Sequence, residues 1–318
     1  MSQRQKYRQL PTEAINPATL GIDKASSADI VEMMMNDDRK VLAAVQREKP
    51  RIAIGADIIV EALRKGGRVI FVGAGTSGRL GVVESAEMPT TFGTEPDSIQ
   101  AVMAGGKTAF LHTKEGAEDS YEDGARALQR LKPTKKDVVV GVSASGITQF
   151  VRGALTRARR AGSKIIFVTC DPRTELQMFV DLTIAPAVGP EVIAGSTRLK
   201  AGTATKIVLN MLTTASMVRI GKTYGNLMVD VQVGSEKLRD RARRIITIVT
   251  GLGYDEADQL LRHAHWDVKA AIVMQKASLT LPQALKRLKK ADDLVRDAIG
   301  EDIEPRLREL LGGRTATP

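Results

Sequence analysis

The sequence predicts an α/β protein with a doubly wound, parallel, five-stranded sheet in a three-layer arrangement, followed by a small all-helical domain. Short, continuous apolar runs recur between residues 68 and 188, and helical segments separate them. Strands that are apolar along their whole length are typical of a parallel sheet covered by helices on both faces. Amphipathic helical segments after Asp230 predict the helical domain.

The predicted elements alternate along the chain. A helix capped at Ser26, Ser27 and Asp29 runs to about Val45, and a second helix ends before two glycines at residues 66–67. The predicted strands are Arg68–Val72, Ile99–Met103, Val138–Val142, Lys164–Thr169 and Leu182–Val188. The helices that follow them are Gly78–Glu87, Gly116–Leu131, Thr148–Ala161 and Ser196–Ile220.

The change of pattern along the chain predicts four regions. Residues 1–50 form a helical lead-in, residues 51–230 the sheet domain, residues 231–300 a helical bundle and residues 301–318 a frayed tail. The predicted breaks inside the bundle are Gly251–Gly253, His265–Trp266 and Leu281–Pro282.

Composition excludes several classes of function. One cysteine and three histidines argue against a disulfide framework and a metal centre, so we expect no metal. The net charge of +10 is spread along the chain, and its two tight basic clusters, Arg239–Arg244 and Lys286–Lys290, lie on predicted helices. We therefore expect solvated helix faces and no nucleic-acid partner. A polar N-terminus and the absence of a long apolar segment predict a cytoplasmic protein with no membrane partner, in which Cys170 stays a thiol.

Glycines and hydroxyl side chains follow the predicted strands. In a parallel sheet, ligands bind at the carboxyl ends of the strands, where backbone N–H groups and helix N-termini attract anions. Three such groups therefore predict a phosphate site together, although each alone is also typical of a helix cap. The candidate residues are Gly75, Thr76, Ser77, Gly78, Ser143, Ser145, Gly146, Thr148, Ser196 and Thr197, with Lys200 as a candidate point charge.

Carboxylates lie near two of these turns. Glu84 and Glu87 are three residues apart on the first predicted helix after the sheet begins, so we expect them to share a face. Glu118 follows the second strand. Most glutamates are solvated surface charges, but a pair in unlike environments can act as general acid and general base.

Several segments carry a resemblance to a known family. They include GAGTSGR at 73–79, VVESAEMPTTFG at 82–93, KEGAEDS at 114–120 and the block GPEVIAGSTRLKAGTATK at 189–206. They resemble the sugar-isomerase (SIS) fold and, more narrowly, the N-acetylmuramic acid 6-phosphate etherase family, which is related to the glucokinase regulatory protein. The match covers nearly the whole chain, and the C-terminal helices resemble that family's ubiquitin-associated-like bundle.

The resemblance implies an enzyme that cleaves the lactyl ether of N-acetylmuramic acid 6-phosphate without a cofactor. The products would be N-acetylglucosamine 6-phosphate and D-lactate, as in cell-wall amino-sugar recycling. The family's two glutamates fall on Glu87, as proton donor, and on Glu118, as the further acid–base residue. The family also implies a homodimer with shared active sites, with the methionine-rich helix around residues 33–35 and the helix Ser196–Ile220 near the interface.

Three alternatives stay open at this point. A non-catalytic sugar-phosphate sensor of the glucokinase-regulatory type would keep the phosphate loops without needing both carboxylates. A phosphosugar aldose–ketose isomerase would also use a carboxylate base, and a nucleic-acid regulator would need a basic recognition helix. The presence of both glutamates in etherase-like segments favours the etherase.

Overall fold

A five-stranded parallel sheet forms the centre of the protein, as the sequence predicts. The computed structural model describes residues 10–312. The strands are β1 (Val69–Gly73), β2 (Ile99–Met103), β3 (Val138–Val142), β4 (Lys164–Val168) and β5 (Leu182–Ile184), in the spatial order β2-β1-β3-β4-β5. The helices that precede, separate and follow them are α1 (Ser27–Arg47), α2 (Lys49–Arg64), α3 (Gly75–Phe92), α4 (Tyr121–Arg130), α5 (Gln149–Arg160) and α6 (Lys200–Arg219).

The strand register aligns the carboxyl ends of the three strands that carry the predicted site. Gly73, the last residue of β1, pairs with Met103 of β2 on one side and with Val142 of β3 on the other. The chain leaves β1 in one direction along the sheet to form β2 and then returns to form β3 on the opposite side. The gap between the ends of β1 and β3 is therefore the topological switch point, where ligands bind in open α/β sheets.

The buried strands supply much of the core. Every residue of β1 and β3 is buried, which explains why their sequences are apolar without alternation. On one side, β1, β3 and β4 pack with α4 and α5 in a cluster whose buried members include Ile70, Val139, Phe167, Leu128, Phe150 and Leu155.

The chain divides into two compact units at points other than the predicted boundaries. The first unit contains residues 10–86 and 97–215, and the second contains residues 87–96 and 216–312. Both divisions fall inside helices, because α3 continues past Ala86 and α6 continues past Ala215. The predicted division into four regions, with a helical bundle at 231–300, stays a prediction.

Helix α3 runs five residues beyond its predicted end at Glu87 and contains Pro89. A proline inside a helix costs about 3 kcal/mol because it removes one N–H donor and crowds the preceding turn. Met88 and Phe92 are both buried. Burying two such side chains contributes roughly 1.5–3 kcal/mol each, which is enough to offset the proline.

Local capping and strand pairing explain three other differences from the predicted elements. Gly116 has a left-handed φ of +71°, so α4 begins only after Ser120, whose hydroxyl accepts from the Asp123 N–H at 3.1 Å. Strand β5 ends at Ile184, where its pairing with β4 ends. Pro282 does not break the bundle, because it lies in the first turn of a helix that Thr280 caps.

The second unit is mainly helical. It contains a short hairpin, β6 (Thr223–Tyr224) with β7 (Leu227–Met228), and the helices α7 (Glu236–Thr250), α8 (Tyr254–His263), α9 (Val268–Ala277), α10 (Leu281–Lys290), α11 (Val295–Ile299) and α12 (Glu304–Leu310). Helix α12 lies in the predicted tail, and the preceding Ile303 is fully buried in the unit's apolar cluster. The rest of the predicted frayed segment, residues 313–318, lies outside the described residues.

Residues 87–96 join this second unit at Asp230. Gly93 has a φ of +57°, and a Cβ there would lie 2.5 Å from the Asp230 carbonyl oxygen, so only glycine fits this approach. The Asp230 carboxylate is held in turn by the ammonium groups of Lys222 and Lys269, each at 2.8 Å.

Candidate functional site

The loop after β1 brings a strand end and a helix N-terminus into direct contact. A Cβ on Gly78 would lie 2.8 Å from the Gly73 carbonyl oxygen, and a Cβ on Gly73 would lie 2.7 Å from the Gly78 nitrogen. The glycines therefore allow α3 to start at Gly75 directly at the sheet edge. The first-turn N–H groups of a helix have no partner within the helix, so this turn can bind an anion together with the hydroxyls of Thr76 and Ser77.

The loop after β3 is a turn held by hydroxyl groups. The Ser143 and Thr148 hydroxyl oxygens are 2.7 Å apart, and the Ser143 hydroxyl also accepts from the Gly146 N–H at 3.1 Å. Gly146 has a φ of +76° and its carbonyl accepts from Thr174 at 2.9 Å. Ser143 is buried and holds the turn together, whereas Ser145 and Thr148 are half-buried and remain candidate ligands.

The third predicted group lies beside the first. Gly202, in the first turn of α6, has Thr76 and Thr197 as neighbours, and a Cβ at this position would lie 3.5 Å from both the Thr76 Cγ2 and the Thr197 carbonyl oxygen. Ser196 and Thr197 are half-buried. The starts of α3 and α6 therefore meet, and the end of β3 is next to that of β1 in the sheet.

Lys200 departs from the prediction. It is 1% exposed, and its ammonium group is 2.6 Å from the Asp37 carboxylate and 2.6 Å from the Pro190 carbonyl oxygen. An ammonium group paired in this way inside the fold is not available to hold a phosphate, so we remove Lys200 from the candidate phosphate site. Burial by itself would raise the pKa of Asp37, but the hydrogen bonds and charges of Lys200 and Lys40 outweigh it and hold that pKa below its ordinary value.

Glu191 is a residue of this region for which the sequence suggested no role. Its carboxylate accepts from the N–H groups of Lys200 at 3.0 Å and Ala201 at 2.9 Å, so it caps the N-terminus of α6. Burial raises the pKa of Glu191, while the two backbone N–H groups act in the opposite direction. No local signal in the sequence indicates this cap, because Glu191 lies nine positions before Lys200, the first residue of α6.

Glu84 and Glu87 do not share an environment, contrary to the prediction. Glu84 is 6% exposed, and its carboxylate accepts from the Asn210 amide at 2.5 Å and from the Thr213 hydroxyl, which ties α3 to α6. Glu87 is exposed to solvent in the single chain. Their separation of three residues corresponds to a rotation of about 60° on a helix, which here separates the buried side from the exposed side.

Glu118 lies in the loop between β2 and α4. Its side chain is exposed, and its backbone carbonyl accepts from the Phe150 N–H at 2.9 Å, which fixes it to the first turn of α5. Glu118 belongs to the first unit and Glu87 to the second. That the two carboxylates act on one substrate stays a prediction.

Cys170 is buried, and burial raises the pKa of its thiol to about 12, which agrees with an inert residue. Within residues 10–312, no group of three or more His, Cys, Asp or Glu side chains is placed to hold a metal ion. None of the helices in the same range is long and apolar enough to span a membrane.

Comparison with known proteins gives a consistent result. Residues 51–159 match the family model of the glucokinase regulatory protein N-terminal SIS domain. The chain is 50% identical over 298 residues to the N-acetylmuramic acid 6-phosphate etherase of Salinibacter ruber, covering 93% of this chain and 96% of that protein. It is 46% identical to the N-acetylmuramic acid 6-phosphate etherase of Rubrobacter xylanophilus, covering 95% of this chain and 99% of that protein. A solved phosphoheptose isomerase from Francisella tularensis is 16% identical and covers 60% of this chain and all of its own, with a TM-score of 0.46.

Proposed function

The chain belongs to the N-acetylmuramic acid 6-phosphate etherase family, and on that premise we propose that it cleaves the D-lactyl ether of N-acetylmuramic acid 6-phosphate. The products are N-acetylglucosamine 6-phosphate and D-lactate, a step in cell-wall amino-sugar recycling. The Salinibacter ruber and Rubrobacter xylanophilus relatives match more than nine-tenths of this chain, and both are named as etherases. The sensor alternative is therefore not favoured.

The observation that carries the site proposal is the placement of the glycine and hydroxyl loops around the topological switch point. The loops after β1 and β3 are adjacent in the sheet, and Thr76 lies next to the start of α6. A phosphate bound there would meet helix N-termini and hydroxyl donors. The residues proposed to bind the 6-phosphate sugar are Gly75, Thr76, Ser77, Gly78, Ser145, Gly146, Thr148, Ser196 and Thr197, with Ser143 as the residue that holds the turn.

The proposed reaction is an elimination followed by a hydration. In the ring-opened sugar the aldehyde at C1 acidifies the proton on C2, and the ether oxygen on C3 is beta to the carbanion. Glu118 removes the C2 proton, the bond between C3 and the ether oxygen breaks, and Glu87 gives a proton to the departing lactate oxygen. Water then adds to the unsaturated aldehyde, with its hydroxyl on C3 and a proton on C2. Each general acid or base step typically contributes about 10²–10⁴-fold.

Isotope labelling tests this chemistry directly. We expect that reaction in water enriched in ¹⁸O places the label on C3 of N-acetylglucosamine 6-phosphate and leaves lactate unlabelled, which mass spectrometry measures. Label in the lactate would mean attack at the lactyl carbon and would rule out the elimination.

Two substitutions test the assigned roles. Glu87→Gln and Glu118→Gln keep the size of each side chain but remove its acid–base function, so each should abolish lactate release while binding of N-acetylglucosamine 6-phosphate persists. Glu115→Gln, an exposed neighbour in the same loop, is the matched control and should retain activity. Near-normal turnover by Glu87→Gln or Glu118→Gln would refute the role of that residue.

The proposed homodimer has a candidate interface in the first unit. Helices α1, α2 and α6 border an apolar groove of about 750 Å³, lined in part by Val45, Ile52, Ile207 and Met211. On α1, Met35 and Leu42 are 60% and 66% exposed in the single chain. A second copy of the chain would cover this face and could complete a shared site. Light scattering should give twice the 34.3 kDa chain mass, and a stable monomer would count against the dimer.

The phosphosugar is the proposed small-molecule partner. We propose in addition that the protein works in the cytoplasm without nucleic acid or membrane. In the basic cluster Arg239–Arg244, three arginines pair with nearby acids, which supports a solvated helix face there. Arg243, for example, contacts Glu236 at 2.9 Å and Asp258 at 2.6 Å. Retention on a nucleic-acid column at physiological salt would contradict this proposal.

A further inference from the structure

The arginine that ends the GAGTSGR motif contacts the loop that carries Glu118. The Arg79 Nε donates to the Phe110 carbonyl oxygen and its Nη2 donates to the Ala109 carbonyl oxygen, both at 2.9 Å. These carbonyls belong to the end of the 3-10 helix Lys107–Phe110, which follows β2. A planar guanidinium is suited to two parallel hydrogen bonds, and here it satisfies two carbonyls at the end of a short helix.

The loop between β2 and α4 is held at three points. At its start, the Ala104 N–H donates to the Gly73 carbonyl at 3.0 Å, and at its end the Glu118 carbonyl accepts from the Phe150 N–H at 2.9 Å. Arg79 provides the third anchor, in the middle. Between the anchors the loop's own hydrogen bonds are local, such as the His112 N–H to the Thr108 carbonyl at 3.0 Å. The side chain of Arg79 therefore restrains the segment that leads to Glu118.

We infer that Arg79 is a positioning residue, which sets the place of Glu118 relative to the phosphate loop at the start of α3. The inference rests on the proposed function, in which Glu118 is the acid–base residue. An arginine in a phosphate loop is also a possible phosphate ligand, but both donor groups named above are directed at backbone carbonyls. Two of the three guanidinium nitrogens of Arg79 are therefore engaged by the loop that leads to Glu118.

The two roles differ in their kinetic signature. Loss of a phosphate ligand weakens binding and raises KM, whereas displacement of an acid–base group lowers kcat with little effect on KM. Displacement of a catalytic group by about 1 Å can cost about 10²-fold in rate. We therefore expect Arg79→Met to lower kcat by roughly 10–10²-fold and to leave KM within about threefold of the unmodified protein.

The test combines a structural and a kinetic measurement on the full chain. Hydrogen–deuterium exchange should rise in residues 107–118 of Arg79→Met and stay unchanged around residues 143–148. Arg79→Lys keeps the charge but lacks the planar fork, so its exchange in residues 107–118 should lie between that of the unmodified protein and that of Arg79→Met. Arg126→Met is the matched control, because it removes an exposed arginine whose partner is Asp123 in α4.

Chemical rescue separates positioning from a general loss of structure. Guanidinium ion added to Arg79→Ala should restore part of kcat, and it should leave Arg126→Met unaffected. Unchanged exchange in residues 107–118 would overturn the inference, and so would a raised KM with normal kcat. If the unmodified protein released no lactate, the proposed function would fail, while the exchange measurement would still decide whether Arg79 holds the loop.

Discussion

The contact between α4 and α5 gives a sharp test of how Glu118 is placed. Gly153 of α5 lies against the backbone of α4, and a Cβ at this position would be 1.9 Å from the Tyr121 carbonyl oxygen. Tyr121 is three residues after Glu118, whose own carbonyl is bonded to Phe150 of α5. Gly153→Ala therefore adds one methyl group where two backbones meet, beside the proposed acid–base residue.

The expected cost follows from this geometry. Real Cβ atoms essentially never approach another heavy atom closer than 3.0 Å, so a contact at 1.9 Å requires the two helices to move apart by at least about 1 Å. Because the opposing atom is a backbone carbonyl, no rotamer change can relieve it, and overpacking typically costs about 1–3 kcal/mol. Replacing a helical glycine by alanine returns roughly 0.5–1 kcal/mol, so we expect a net loss of up to about 2.5 kcal/mol in unfolding free energy.

The assay follows both stability and activity. Gly153→Ala should show faster hydrogen exchange in residues 118–130 and 149–160. It should also reduce kcat by about 10²-fold, because separation of α4 from α5 displaces the loop that carries Glu118. Gly21→Ala is the control, since a Cβ there meets nothing within 4 Å. Wild-type exchange in both helices together with a normal rate would show that the contact does not position Glu118.

Three further predictions concern buried groups of the first unit. Lys200→Met leaves Asp37 buried without its main partner, so it should destabilise the protein by about 3–5 kcal/mol in denaturant unfolding. Lys40→Met removes a partner that is 57% exposed and should cost far less. Equal effects of the two substitutions would contradict the conclusion that Lys200 is the main partner of Asp37. Because the pKa of Asp37 is lowered in the folded state, the Asp37–Lys200 pair stabilises the fold at pH values above the unfolded-state pKa of about 3.9. This stabilisation should be lost as the pH falls through the lowered folded-state pKa. Acid unfolding of Lys200→Met and of the unmodified protein, compared side by side, measures the loss. Cys170, with its pKa raised to about 12 by burial, should resist thiol reagents at neutral pH and react fully only after unfolding; rapid labelling of the native protein would refute this.

The sequence predicts the sheet well because its strands are buried on both faces. Val138–Val142 is a short apolar run whose length and valine content favour a strand over a buried helix segment, and its bounds agree with the structure. Helix ends are harder to predict, because they depend on partners that are distant in the chain. Nothing near Pro89 in the sequence indicates that Met88 and Phe92 are buried and carry α3 beyond it.

The candidate site was predictable at the level of loops but not of single side chains. Glycines and hydroxyls after β1 and β3 identify the switch point, because parallel strands all end at the same edge. The role of a charged residue depends on its partners, which the sequence does not show. Lys200 resembles a phosphate ligand until Asp37, 163 positions earlier in the chain, is found to pair with it. The same holds for Arg79, whose two acceptors are backbone carbonyls.

The two compact units are not separable at a single cut. Residues 87–96 continue α3 out of the first unit, and Gly93 closes against Asp230 in the second. A fragment that begins at Ser216 would therefore lack a stretch of its own fold, together with Glu87. An exchange of the C-terminal helices between two proteins would therefore also have to exchange residues 87–96. Because these residues continue α3, the helical unit cannot be replaced without changing a helix of the sheet unit.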